Sequence, residues 1–271
     1  MSSQAYYKKK KTILSRAQIR TAILVAVQYY RSRDPCIGAL KLHYELCSLY
    51  GREVVGGRDA FLRLMRSEHL MLPPKKPRHT TDSSHLYMKY PNLIKDITAQ
   101  YPNHIWASDI TYIWIEGGVC YLHLLTDLYS HAVLGWVLAT GLHAEYTKQA
   151  LEQAINEAGG GNLCGTIHHS DRGTQYACDA YITTLREHHI RISMTESSVP
   201  TDNAVAERMN GILKTEWIYG ISLFKDENQA RVQIAQMIAF YNNERPHMSI
   251  GMKKPMDVYY GEVPGKCLWK K

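Results

Sequence analysis

The 271 residues carry a formal net charge of +7 and are 45% apolar, enough for one large domain or two, each burying its own core. No run of about eighteen uncharged apolar residues occurs, and the start MSSQAYYKKKKTIL is not a basic segment leading into an apolar one. Neither a membrane span nor a secretory signal is therefore visible, and the expected compartment is the cytoplasm. Six scattered cysteines with no C-x-x-C pair speak against a zinc ribbon or disulfide framework and read as reduced, mostly buried thiols.

Charge divides the chain. Residues 1–104 hold 18 Lys and Arg against 7 Asp and Glu (+11), whereas residues 105–271 hold 14 against 18 (−4). A basic front suits a polyanion and an acidic remainder leaves carboxylates for another task, although solvated surface charge reads the same way.

In chain order, a basic tail (1–15), including Lys8 to Lys11, precedes a helical module (16–70). From Arg16 to Arg31, Ile19, Ile23, Val27 and Tyr30 recur at helical spacing. A second helix, Ile37 to Tyr50, places Leu40, Tyr44 and Cys47 on one stripe. After the turn LYGREVVGG, a third helix turns Phe61, Leu64 and Met65 inward. The order resembles a helix-turn-helix unit; such units also serve as protein contacts. On the third helix Arg63 and Arg66 share a face suited to DNA, while Arg58 belongs to the helix start. Residues 71–100 read as a linker whose Lys75, Lys76 and Arg78 can follow a DNA backbone.

Residues 101–262 change texture. HIWASDITYIWI, VCYLHLLTDLYS and HAVLGWVLAT are β-rich, the first two joined by a Gly-Gly hairpin signal. A helix (144–158), the short strand of GTIHHSDRGTQY, a helix (179–189), the strand IRISMT and the helix TDNAVAERMNGILKTEW follow. This order predicts an α/β fold whose mixed sheet, flanked by helices, begins antiparallel and continues parallel. A further core helix carries Val232, Ala235, Ile238 and Ala239 at helical spacing, and residues 263–271 form a tail. Trp106, Trp114, Trp136 and Trp217 are expected to pack.

Three carboxylates stand out. Asp109 sits inside a strand, where an unpartnered charge is costly; Asp171 lies at the C-terminal end of another, where open α/β sheets present ligands. On the helix from Thr201 to Trp217, with Glu207 as zero, Asn203 lies at −40° and Lys214 at −20°, but Glu216 at 180° among the apolar positions. The polar stripe selects Glu207. Glu216 is expected to snorkel outward as a bystander, its change to Gln leaving chemistry intact. Asp127 reads as structural and Asp202 as a helix cap. His168 and His169, adjacent on a strand, point to opposite faces and cannot bind one ion together. His247 reads as structural, and Arg172, Gln175 and Tyr176 as DNA-positioning or loop-closing. Three carboxylates with no Cys or His cluster suit Mg²⁺ or Mn²⁺, and two such ions about 3.5–4 Å apart serve phosphoryl displacement.

WASDITYI, HSDRGTQY, DNAVAERMNGILKTE and YNNERPHMSIGMKKP, with 35 residues between Asp171 and Glu207 and Lys214 seven beyond, resemble the DDE signature of the integrase-core transposases of bacterial insertion-sequence family three. The resemblance implies a ribonuclease-H-like core and Mg²⁺-dependent (or Mn²⁺-dependent) cleavage and strand transfer at element ends. Asp109, Asp171 and Glu207 would be catalytic ligands of two ions, with Lys214 a DNA contact. It further implies a homo-oligomer on paired DNA ends in a nucleoid-associated setting, with no membrane partner, and an upstream-frame partner protein. The second helix, CIGALKLHYEL, lacks the Gly-aromatic-Arg-Arg word common in such proteins. A non-catalytic DNA-binding repressor of the element and a ribonuclease-H-like nuclease are the alternatives.

Overall fold

The computed structural model describes residues 3–72, 88–95, 97–196, 211, 216 and 224–261, with backbone alone for 3–15. The chain divides into two units, Met1–Lys76 and Pro77–Lys271.

In the first unit, α1 (Ser3–Arg33) is followed by α2 (Ala39–Tyr50), the one-turn α3 (Arg52–Val55) and α4 (Arg58–Ser67). The backbone of the stretch read as a basic tail is thus helical from Ser3, and the turn after α2 holds a helix of its own. Ile23, Val27 and Tyr30 of α1 and Phe61 and Met65 of α4 are all buried, as their periodicity requires. On α2 the buried stripe is not the one that the spacing of Leu40, Tyr44 and Cys47 predicts. Leu42 and Leu46 are buried with Lys41 and Glu45, whereas Leu40 and Tyr44 are exposed. Glu45 is kept inside by Tyr30, whose hydroxyl donates to it at 3.2 Å, so a charged residue occupies the face that apolar counting assigned elsewhere. Arg63 and Arg66 are exposed on α4. Arg58 pairs with Asp59 at 2.8 Å; that bond, and then the charges of Arg58, Arg63 and Arg66, hold the Asp59 carboxyl below its ordinary range.

The second unit is built on one five-stranded sheet in the order β3-β2-β1-β4-β5, with β1 Ile105–Ile115, β2 Gly118–Asp127, β3 Val133–Ala139, β4 Ile167–Ser170 and β5 Arg191–Met194. The first three strands are antiparallel neighbours, and β4 and β5 join parallel to β1. Gly117, at φ +80°, closes the β1–β2 hairpin in a backbone region that favours glycine.

One face of the sheet is covered by α5 (Ala144–Glu157) and α7 (Asp179–Glu187), through a core that includes Trp106, Leu134, Leu151, Tyr181, Leu185 and Met194. Gly135 of β3 permits this approach: a Cβ there would lie 1.9 Å from the backbone oxygen of Ala150, which cannot swing aside as a side chain would. On the opposite face Cys120 senses the charges of Glu227 and Arg231, both on α8 (Glu227–Asn243). The buried face of α8 is Ala230, Ile234, Met237, Ile238 and Tyr241. Val232 and Ala239, read from sequence as inward, are exposed. Trp114 is 59% exposed, because β1 and β2 run past the covering helices and its alternate residues emerge there. Of the described cysteines only Cys120 is buried, and all five are free thiols.

The end of α8 is fastened to edge strand β3 by Asn242, whose carboxamide accepts from Val133 N at 3.0 Å and donates to Val133 O at 2.9 Å. A strand register shift at Leu125/Thr126 leaves this backbone to be satisfied by a side chain. A short 3₁₀ turn (Met248–Ile250) and α9 (Pro255–Tyr259) complete the described chain.

Candidate active site

Parallel pairing sets the site. Ile105 lies level with Ile167, Trp106 with His168 and Ala107 with His169. Two residues further in the same register bring Asp109 level with Asp171, the residue just past the end of β4. Odd-numbered β1 residues share a face, so Asp109 projects from the side that carries Ala107 and Ile113. Neighbouring strands are about 4.8 Å apart, which makes the two carboxylates neighbours although 61 residues lie between them in the sequence.

Asp171 is held by its own turn. Its Oδ1 accepts from Gly173 N at 2.9 Å, an Asx turn that redirects the chain into the one-turn helix α6 (Thr174–Ala177). A Cβ on Gly173 would come within 2.9 Å of that same oxygen. The helix carries Tyr176 back beneath the aspartates. Burial first, and then the charges of Asp171 and Asp109, push the Tyr176 phenol well above its ordinary value, so one ring feels both carboxylates. Its buried hydroxyl has no hydrogen-bond partner among the described residues.

The histidines lie on opposite faces, as expected. His168 Nε2 meets the hydroxyls of Ser108 and Tyr181, each at 2.8 Å; His169 Nδ1 meets Ser193 Oγ at 2.8 Å. Burial, with His169 nearby, pushes His168 down to about 3. The unfolded chain then binds a proton that the folded one refuses, so stability is full above about pH 6.5 and falls as pH drops toward 3, by about 1.4 kcal/mol per pH unit. His123, also pushed down by burial, acts in the same direction. In urea unfolding between pH 6.5 and 5, His168→Gln is expected to give a shallower pH slope than the native chain; equal slopes would refute this role.

Asp127 is structural. Fully buried opposite Trp106, it accepts from Asn103 N at 2.9 Å, Ser130 N at 2.8 Å and Ser130 Oγ at 2.7 Å, closing the β2–β3 turn. Burial pushes its carboxyl upward against those bonds. His247 is buried, stacked on His131 at 4.6 Å and joined to it through Ser249 Oγ, 2.8 Å from each ring.

Glu216 does not snorkel outward. It lies inside, and Arg245, 1% exposed, grips it with Nε at 2.5 Å from Oε2 and Nη2 at 2.7 Å from Oε1. This bidentate fork explains an acidic residue on an oily helix side: the charge is paid for locally by a buried cation. Arg245, missed in the sequence reading, stands 29 residues away in ERPH, and its only signal there was a charge set between an aromatic helix end and proline.

Glu207, Lys214, Asp202, Trp217, Lys75, Lys76 and Arg78 lie outside the described residues. Among the described residues no group of three His, Cys, Asp or Glu side chains is placed to hold a metal ion. The described pair nevertheless fits a hard cation: two neighbouring carboxylates offer oxygen ligands, and their mutual repulsion favours positive charge between them.

The Integrase core domain family matches residues 99–200, and a second Integrase core domain family matches residues 188–255. The 31 kDa protein of insertion element IS600 from Shigella sonnei is 30% identical over 239 residues, covering 87% of this chain and 85% of that protein. The chain belongs to the DDE transposases of insertion-sequence family three. The transposase for insertion sequence element IS629 from Shigella sonnei is 30% identical over 174 residues, 62% of this transposase and 57% of that one, so the chain spans less than two thirds of that relative. The ribonuclease-H-like fold is shared with the integrase in the cryo-electron-microscopy structure of a simian T-cell lymphotropic virus intasome with the PP2A regulatory subunit B56 gamma (TM-score 0.50, 18% identity, 87% of this chain and 75% of that one). In this transposase no helix among the described residues is long and apolar enough to cross a membrane.

Proposed function

We propose that the chain cuts DNA at the ends of its insertion sequence and joins the freed 3′ hydroxyl to a target strand, with Asp109, Asp171 and Glu207 as ligands of two Mg²⁺ or Mn²⁺ ions. The observation that supports this reading is the parallel β1–β4 register, which, carried two residues beyond Ala107 and His169, brings Asp109 in the middle of β1 level with Asp171 just past the end of β4. Glu207 is assigned from the helical stripe and its spacing. When bound, the ions activate the attacking oxygen and stabilise the leaving oxygen of an in-line displacement.

The protein's own groups do the rest. The Asx turn at Gly173 fixes the Asp171 carboxylate, and buried Tyr176 keeps water from beneath the site. Lys214 and Arg172 hold DNA phosphates, and Arg63 and Arg66 on α4, with Lys75, Lys76 and Arg78, hold the DNA backbone as point charges and forks. The working assembly is a homo-oligomer on paired ends, with an upstream-frame partner supplying further DNA contacts, in the cytoplasm at the nucleoid.

The test is cleavage and joining of the element's flanking DNA with and without Mg²⁺. Wild-type chain is expected to join ends only with the metal, and Glu207→Gln to lose joining by about 10³-fold while still binding end DNA. Joining by Glu207→Gln at the wild-type rate would overturn the assignment. End binding without cutting would instead favour a repressor, and preferred cutting of an RNA–DNA hybrid a nuclease.

A further inference from the structure

Resting on the reading of Asp109 and Asp171 as cation ligands, we infer that Ser108 is a positioning residue for that pair, setting through His168 the separation at which β1 and β4 present the two carboxylates. The backbone leaves this task open. Pairing between β1 and β4 ends at Ala107 and His169, two residues short of the level that the aspartates share. On its other side β4 is fastened further, with Ser170 paired to Met194 of β5 and its carbonyl accepting from Thr195 N at 3.1 Å.

A side chain spans the gap. Ser108, one residue past the last β1–β4 rung, lies 2.8 Å through its Oγ from Nε2 of His168, which stands level with Trp106. The bond therefore runs diagonally between the two strands, and a diagonal tie resists sliding as well as splaying. Successive residues of a strand face opposite ways, so Ser108 sits on the face away from the Asp109 carboxylate and acts on it through the backbone they share.

The imidazole is a firm anchor. Ser108, His168 and Tyr181 are all buried, and the same Nε2 meets the Tyr181 hydroxyl of α7, also at 2.8 Å. Ring centroids of His168 and Tyr181 lie 5.3 Å apart, and Tyr176 closes the group at 5.7 Å from Tyr181 and 6.3 Å from His168. Burial keeps the imidazole neutral, so the tie does not depend on charge. The two hydroxyls on this nitrogen differ in where they lead. Ser108 leads to the strand of Asp109 and Tyr181 to a covering helix, while removing either one costs a comparable buried hydrogen bond.

Magnesium is the strict probe of such positioning. It demands near-octahedral oxygens at about 2.0–2.1 Å, whereas calcium accepts about 2.3–2.6 Å in flexible arrangements. Carboxylates that drift by more than about 0.5 Å, the tolerance of a working site, should lose magnesium first. Ser108→Ala and Tyr181→Phe in the full chain are compared with the native protein without DNA. Thermal unfolding reports folding, and displacement of Mn²⁺ by Mg²⁺ or Ca²⁺, followed by water-proton relaxation, gives the affinity for each ion. Ser108→Ala is expected to stay folded, to lose Mg²⁺ affinity about fivefold and to keep Ca²⁺ affinity within about twofold. Tyr181→Phe is expected to keep both within about twofold at a similar loss of stability. An unchanged preference between Mg²⁺ and Ca²⁺ in Ser108→Ala overturns the inference, and so does an equal change in Tyr181→Phe, which would make the cluster a packing element. Unfolding of Ser108→Ala at the assay temperature overturns it as well. Failure of the underlying reading shows separately, as a native chain that gives no saturable relaxation change with Mn²⁺ or as Asp171→Asn that binds Mn²⁺ as tightly as the native chain.

Discussion

Asp171→Asn is expected to reduce strand transfer by about 10³-fold or more while leaving the fold intact. The kinetic loss follows from removing one anionic ligand from a site whose cations supply several kcal/mol of transition-state stabilisation, each 1.4 kcal/mol being worth about tenfold in rate. The fold survives for a local reason. Asparagine keeps the side-chain volume, and its carbonyl oxygen replaces Oδ1 as acceptor for Gly173 N, a bond of 2.9 Å in the native turn, so α6 and Tyr176 keep their places. Divalent cation offers a second readout. A ligand that binds only the folded state raises the unfolding temperature, so Mn²⁺ should stabilise the native chain and stabilise Asp171→Asn much less. Joining within tenfold of wild type, or an undiminished rise with Mn²⁺, would remove Asp171 from the proposed ligand set.

Both aspartates could be singled out before any coordinates by strand position, one within an apolar β-rich run and the other where a run breaks into polar residues. That the two runs are neighbours comes from the sheet order, which sets β4 beside β1 rather than beside β3, and an antiparallel start with a parallel continuation does not fix that choice. Helix faces were harder. On α2, Leu40 and Tyr44 satisfy helical spacing as well as Leu42 and Leu46 do, and the choice was made by Glu45, which Tyr30 satisfies inside. On α8, Val232 lost to Ile234 and Met237 because the sheet, not the helix, decides which arc is covered. Trp114 was misjudged because composition does not say where covering helices stop. Periodicity placed Glu216 on the inward side, and only its partner was invisible, because nothing in the spacing ties it to Arg245.

That partner makes Glu216→Gln the substitution with the largest expected effect on stability. Removing one member of a buried pair leaves the other charge uncompensated, at a cost of about 3–5 kcal/mol, a large share of the roughly 5–15 kcal/mol that stabilises an ordinary domain. For a unit of this size each kcal/mol is worth about 2–4 °C, so the unfolding midpoint should fall by about 10 °C. Exposure separates this from ordinary surface charge. Lys148 and Glu152 on α5 also pair, at 3.3 Å, but with side chains 39% and 48% exposed; Lys148→Met should cost no more than about 0.5 kcal/mol. Salt sharpens the contrast. Raising NaCl to 1 M shortens the screening length to about 3 Å and weakens exposed pairs, while a pair shielded from solvent is screened much less. The deficit of Glu216→Gln against wild type should therefore persist in high salt. A deficit below about 1 kcal/mol, or one that salt abolishes, would mean that the Arg245 fork is solvated and that Glu216 is the bystander its sequence position first suggested.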